Sequence, residues 1–287
     1  MESSFNLHLE RVLQSVSPGK VGALLTEYKV LRREVADFLV RRFPRSNGLC
    51  SAPINAGSYA KSTAINFRFD LDLLTVFSAN RWTPREAKRQ MYNALQEEFG
   101  KRAAIRDQRV STGLRFMKGR DWVEIDVVSA TEHNTGSYSS GNTTLRLYDR
   151  EANIEVLTNV EKQMAAISGE DKESRRRIVR LLKVWRYHHS APVRSFEIEI
   201  MVMEAYRQGR PPVQHSLWPN LEFVLQYLGG NLPSMPLYDP GTGKALQNAL
   251  SAIERDNLAG RLRNVRNNLI ANPGRIGEWF PVNLKYA

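Results

Sequence analysis

Two apolar segments that each carry aspartate constrain this chain more than any other feature. Trp122-Val-Glu-Ile-Asp126-Val-Val has the residue types of a central strand, and a lone carboxylate between Ile125 and Val127 is costly to bury without a partner. The run Phe67 to Phe77 contains Asp70-Leu-Asp72-Leu-Leu. Strand side chains alternate, so Asp70 and Asp72 project together with Leu74 and Val76, while Phe69, Leu71 and Leu73 project the other way. Two anions crowded where an apolar strand leaves its core repel and lose hydration unless a cation neutralises them. Alone, Asp-x-Asp equally marks two solvated acids at a strand end. With Asp126 beside it, a three-carboxylate cluster is expected, able to bridge two ions roughly 3.5 to 4 Å apart. Oxygen-only ligands with no His or Cys nearby favour Mg2+, with Mn2+ as the alternative. Glu124 shares the face of Asp126 and is a weaker competitor for the same role, expected at the solvated end of the strand with a salt bridge as the alternative.

Around these strands the pattern is mixed. Helical spacing covers Phe5 to Val16 and Lys20 to Arg42, split by Ser17-Pro18-Gly19. In the second, Leu24, Leu25, Tyr28, Leu31, Val35, Leu39 and Val40 are expected to line a core. A helix from Pro84 to Phe99 opens with Thr83 as its cap. Runs at Val110 to Met117 and Trp122 to Val128 are joined by Lys118-Gly-Arg-Asp121, a hairpin turn. Ser137 to Thr144 is a polar loop, a candidate boundary or lid. Beyond it, helical character is read near Ala152 to Ser168, Lys172 to His189, Ser195 to Arg207, Leu217 to Leu228 and Leu246 to Asn268. These patterns give a mixed sheet with helices over residues 1–150 and a helical lobe over 151–287.

With 41 Lys and Arg against 30 Asp and Glu, the net charge of +11 favours polyanions such as nucleotides or nucleic acid. No basic amphipathic helix, signal peptide or long apolar run is seen, so no membrane association is expected and the default location is cytoplasmic. The single cysteine, Cys50, excludes an internal disulfide and a cysteine-clustered zinc site, and reads as a small buried hydrophobe.

Gly57-Ser58 stands twelve residues before Asp70 in a form suited to phosphate, with a glycine that admits close backbone approach and a hydroxyl beside helix-start amides. Gly57-Ser58, Thr63, Asp70-x-Asp72 and Asp126-Val-Val-Ser-Ala together resemble the polymerase-β-like nucleotidyltransferases. Within them the chain is similar to the CD-NTases, the bacterial relatives of cyclic GMP-AMP synthase and oligoadenylate synthetase. Arg180-Leu-Leu-Lys183-Val-Trp185 and Arg194-Ser195-Phe196-Glu197-Ile-Glu199 are similar to the helical lobe of that group, and the likeness spans about residues 50 to 280. The resemblance implies an α+β, bilobal fold with a mixed-sheet catalytic core, a C-terminal helical lobe and the active site in the cleft. It implies two-metal catalysis by Asp70, Asp72 and Asp126 on nucleoside triphosphates (ATP, GTP, UTP or CTP), giving a cyclic di- or oligonucleotide second messenger of the antiphage signalling called CBASS. Gly57, Ser58, Lys183 and Ser195 would contact the triphosphate and Phe196 would stack on a base. Helical spacing makes Ile178, Leu181, Leu182 and Trp185 a buried stripe that leaves Lys183 to one side, where a solvated lysine is the alternative, as a core aromatic is for Phe196. An RNA or protein activator is compatible with it.

Two departures stand out, Phe69 before Asp70 where a small polar residue is common, and Ser129 in place of a frequent proline. Neither removes a ligand. An enzyme adding nucleotides to RNA ends or to another acceptor is the competing reading, and a catalytically silent RNA-binding module resting on the net charge and Arg175-Arg-Arg177 is a third. Pro240-Gly-Thr-Gly-Lys244-Ala imitates a P-loop, but Tyr238 replaces its first glycine and Ala245 its Ser or Thr, so a turn is expected. His188-His189 lacks a third ligand at useful spacing and reads as an exposed pair.

Overall fold

Alternating segments become strands and 3.6-residue patterns become helices in the computed structural model, which describes residues 2–286 except 68, 120, 170, 210–215 and 247–249. The helices are α1 (Glu2–Ser15), α2 (Ala23–Arg42), α3 (Gly57–Ala60), α4 (Pro84–Phe99), α5 (Val160–Ala166), α6 (Lys172–His188), α7 (Ser195–Gly209), α8 (Leu217–Asn231), α9 (Ala252–Ala271) and α10 (Ile276–Trp279). The strands are β1 (Ile54–Ala56), β2 (Leu71–Phe77), β3 (Ala103–Asp107), β4 (Ser111–Lys118), β5 (Asp121–Glu132), β6 (Leu145–Asp149) and β7 (Ile154–Thr158). The chain separates into two units that are not contiguous in sequence. One comprises Gly22–Ser62 and Phe69–Lys162, the other Met1–Val21, Thr63–Arg68 and Gln163–Ala287.

The first unit holds the sheet, ordered β1-β2-β5-β4-β3, with β6 on β5 and β7 on β6. Only β2 and β5 run parallel among the paired strands of the described residues. Leu71, Leu73, Ile125 and Val127 are fully buried on one face, where α2 and α4 pack. Phe99 of α4 meets Phe38 and Phe116 edge-on. Each such side chain contributes roughly 1.5–3 kcal/mol by leaving water. A smaller core of Ala56, Leu74, Val76, Ala130 and Leu145 lies on the other face, with half-buried Cys50 against it. Burial pushes the Cys50 thiol up to about 11.

Thr83 caps α4 as expected, in a reciprocal box with Glu86 and with proline following. Several expectations are corrected. In α2, Val40 is exposed and Phe38 takes its place in the core. The helix expected from Ala152 begins only at Val160, because Asp149 accepts hydrogen bonds from the Glu151 and Ala152 amides and Asn153 takes φ 54, closing a β6–β7 hairpin. Strands β1 and β3 also escaped the alternation reading. The polar loop at Ser137–Thr144 is tied to the sheet by the Tyr138 amide on Glu132 (3.1 Å), and the units divide at Lys162 and Gln163.

The second unit is helical. Phe5, Leu9, Val12 and Leu13 of α1 join one core with α6, α7, α8 and α9, which is why the N-terminal helix belongs with the second half of the chain. The Phe5 and Trp218 rings stand 4.3 Å apart. Asn66 holds its segment in this unit through the Ser15 carbonyl (2.9 Å) and Asn283 (3.0 Å). Phe67 stacks on Tyr187 at 4.6 Å, so the strand expected from Phe67 starts at Leu71 instead. Helix α9 starts at Ala252, later than the expected Leu246, because Ser251 forms a capping box with Glu254; positions 247–249 lie outside the described residues. Among the described residues no helix is long and apolar enough to cross a membrane.

Candidate active site

The register of the two parallel strands sets the first unit's site. Asp72 pairs with Asp126, Leu74 with Val128 and Val76 with Ala130. Directly paired residues of a parallel ladder point to the same face, so Asp72 and Asp126 are lateral neighbours on the face of the smaller core. Asp70 lies just before β2, outside the strand but close enough for its charge to act on Asp126. Its position is fixed through Phe69, which is buried with Tyr28 and Tyr59 packed edge-on against its ring. The Tyr28 hydroxyl donates to the carbonyls of Phe69 (2.6 Å) and Trp122 (3.3 Å), tying the entry of β2 to that of β5. Burial pushes this phenol up to about 12.

Two glycines make room for the carboxylates. Gly57 opens α3 at φ 65, and a Cβ there would stand 1.6 Å from Asp72 Oδ2. Gly113 pairs with Asp126 across β4, and its Cβ would stand 2.9 Å from Asp126 Oδ1. Only a residue without a side chain admits both approaches. Ser58, the next residue of α3, is half-buried.

Asp126 Oδ1 is sealed from water without a hydrogen-bond partner. Its carboxyl is pushed up to about 6, first by burial and then by the Asp70 charge, while Arg106 and Gln108 oppose the rise. Glu124, on the same face, is paired with Arg115 (2.5 Å) and Arg106 (3.2 Å), the salt-bridged alternative. As the side chains lie, no three His, Cys, Asp or Glu groups among the described residues enclose a metal position. The donor set nevertheless fits a hard divalent cation: all oxygen, crowded anions, and one buried oxygen without a hydrogen-bond partner.

The remaining predicted residues belong to the helical unit. Lys183 is buried, not solvated, and its ammonium donates to Glu199 (2.7 Å), the Thr63 hydroxyl (3.1 Å) and the Thr63 carbonyl (3.0 Å). Thr63 donates in turn to Glu199 at 2.7 Å. The expected stripe of Ile178, Leu181, Leu182 and Trp185 is thus too narrow, since Val179, Lys183 and Val184 are buried as well. Ser195 is exposed at the first position of α7, and Phe196 is half-buried against the helical core. Glu197 is buried and paired with Arg194 at 2.7 Å. Sequence reasoning placed neither Thr63 nor Glu199 in a network with Lys183. The available signal was a charge inside the apolar run Leu181-Leu-Lys-Val-Trp185, which has to be paired to be buried.

The decoys resolve simply. Asp239 closes a turn by accepting from the amides of Thr242 and Gly243, so Pro240–Lys244 is no P-loop. His188 is exposed, while His189 is half-buried with its Nε2 3.3 Å from the Trp279 carbonyl.

No family model and no curated protein matches the chain. Solved structures do. CdnC of Escherichia coli MS115-1 with ATP aligns at TM-score 0.73 and 16% identity, over 96% of this chain and 97% of that one. The CD-NTase CdnG of Bradyrhizobium diazoefficiens in complex with GTP aligns at 0.72 and 14%, over 98% and 96%. The cyclic dinucleotide synthase CdnE of Elizabethkingia meningoseptica with GTP and Apcpp aligns at 0.65 and 15%, over 83% and 91%. Identities this low speak for architecture: the chain has the α+β fold of the CD-NTases.

Proposed function

We propose that the protein is a nucleotidyltransferase that joins nucleoside triphosphates into a cyclic di- or oligonucleotide. The observation that carries this reading is the Asp72–Asp126 pairing on one face of the sheet, with Asp70 at its edge. The fold shared with CdnC, CdnG and CdnE supports it. A pure binder of polyanions gains nothing from clustered carboxylates.

In the reaction a ribose hydroxyl oxygen attacks the α-phosphorus. The new P–O bond forms as the α–β anhydride bond breaks, and pyrophosphate leaves with its electron pair. Asp70, Asp72 and Asp126 would hold two magnesium ions, or manganese, whose charge favours the attacking alkoxide and the departing pyrophosphate. Asp126 is also the carboxylate proposed to accept the hydroxyl proton as general base. Gly57 keeps space for the Asp72 carboxylate, and Ser58 offers a hydroxyl to phosphate oxygens. Ser195 offers a hydroxyl to the triphosphate and Phe196 a ring to the base, whereas Lys183, held by Glu199 and Thr63, is left a positioning role. Repetition on the linear product closes the ring, and the product serves as an antiphage (CBASS) second messenger.

The test is incubation with labelled ATP, GTP, CTP and UTP, magnesium and no RNA, followed by phosphatase. A small phosphatase-resistant product is expected. Label found only in extended RNA, when RNA is added, overturns the cyclase in favour of RNA-end transfer.

A further inference from the structure

The helical unit contains a cavity of 630 Å³ between α6, α7 and the turn after Leu237. That volume is in the range of small-molecule sites. Helices α6 and α7 run antiparallel here, since Lys183 meets Glu199 while Arg175 and Arg207 line the same cavity. Arg175 lies eight residues from Lys183, roughly 12 Å along the helix. The cavity is therefore separate from the Lys183 network.

Its walls are Ile200, Met203, Tyr206, Tyr238 and Pro240, the last two from the turn that imitates a P-loop. Such a lining suits a flat, largely apolar ring. Four charged groups also line it, and they cancel. Arg207 pairs with Glu204 at 2.7 Å, and Arg175 donates to the carbonyls of Ala166 (3.1 Å) and Ser168 (2.7 Å). A net charge on the ligand is thus not selected.

Two polar groups are left over. Tyr206 is only 9% exposed, yet its hydroxyl has no hydrogen-bond partner, an unfavourable omission for a buried phenol. Asp171, at the start of α6, makes no side-chain hydrogen bond or ion pair among the described residues and does not cap the helix. Its charge reaches Tyr206 and adds to burial in raising that phenol's pKa. A carboxylate only accepts, through two oxygens, whereas a phenol both donates and accepts. The matching ligand is a neutral flat ring presenting two adjacent donors, with an acceptor elsewhere on its rim.

Of the common nucleobases only guanine carries adjacent donors, N1–H and the 2-amino group, beside the O6 and N7 acceptors. Adenine, cytosine and uracil each set an acceptor next to their donor, which opposes a carboxylate. We propose that this cavity is a binding site for the guanine base of a small nucleoside or nucleotide, with Asp171 accepting from its N1–H and 2-amino edge and Tyr206 donating to its rim. This assignment does not rest on the catalytic reading.

The test is calorimetry on the full chain with guanosine, which lacks the phosphates a triphosphate site requires. Guanosine should bind, and inosine, missing only the 2-amino group, at least about tenfold more weakly. Asp171→Asn should abolish that preference, and Tyr206→Phe should weaken guanosine several-fold. Excess ATP with magnesium should leave guanosine affinity unchanged. The guanosine–inosine comparison on the unaltered protein stands even if a variant fails to fold. No guanosine binding at millimolar concentration, equal affinity for inosine, or displacement by ATP overturns the proposal.

Discussion

Replacing Asp126 by asparagine should make the metal-free protein more stable. The folded chain holds this carboxyl near 6 instead of the ordinary 3.8, because burial and the Asp70 charge penalise its ionised form. The difference corresponds to about 3 kcal/mol once both states have ionised. Relaxation around a half-buried side chain trims it, so a gain of about 1–3 kcal/mol at neutral pH is expected for Asp126→Asn. An acid with a raised folded pKa is no burden below the unfolded value, where both states keep the proton. As the pH rises from about 4 to about 6 the unfolded chain releases it first, stability falls, and above that window the loss is constant. The variant cannot titrate there. The two proteins should therefore be nearly equal near pH 4 and fully separated by about pH 7.

Urea unfolding with a chelator across that pH range measures the separation directly. Repeating it with excess manganese adds the decisive contrast, since a ligand bound only by the folded state stabilises it. Manganese should raise the stability of the unaltered protein above pH 6 and leave Asp126→Asn unmoved. The variant should also lose turnover. A variant less stable than the parent in chelator at pH 7, or manganese stabilising both equally, would refute the argument.

Lys183→Met leaves Glu199 charged and buried, which should cost about 3–5 kcal/mol in urea unfolding; adding Glu199→Leu should recover most of it. Gly57→Ala strains a φ of 65 by about 1–2 kcal/mol and drives a methyl into Asp72, so turnover should fall at least about tenfold. Gly119→Ala, with similar φ of 63 and open space around it, should lose similar stability and keep full turnover. Arg109→Gln removes the partner, 2.7 Å away, that holds the buried Asp149 carboxyl below its ordinary range. A depressed acid stabilises above the unfolded pKa and loses that contribution as pH falls, so the variant should be about 1.5–3 kcal/mol weaker at pH 7 and close on the parent below about pH 4.

What the sequence made legible follows period and punctuation. Helix α4 has an unambiguous cap at Thr83, and β5 is long enough for its alternation to place Asp126 on the face of Asp72. Short elements were lost. Ile54–Ala56 offers too few residues for a period, and the β6–β7 hairpin is dictated by the Asp149 side chain holding two amides, a contact that alternation does not encode. Placement across the chain was equally hidden. That α1 packs with α6 and α8 depends on Phe5 meeting Trp218, more than two hundred residues away. The Lys183 network failed for the same reason, since Thr63 comes from a distant segment.

Three exceptions to local folding rules in the sheet unit meet at one spot. A left-handed glycine opens α3, a second glycine weakens β4, and an acid without a hydrogen-bond partner on its buried oxygen lies between them. Each is individually destabilising: glycine in a strand gives up roughly 0.5–1 kcal/mol against alanine, and the raised acid gives up more. Their convergence on Asp72 and Asp126 means that one arrangement requires all three, and that arrangement is two carboxylates with room to turn toward a shared cation. Selection for stability alone would remove them one at a time, beginning with Asp126. A search for thermostable variants of the metal-free protein should therefore recover substitutions at residue 126 that abolish turnover, and recovery of fully active variants there would show that the convergence has no catalytic cause.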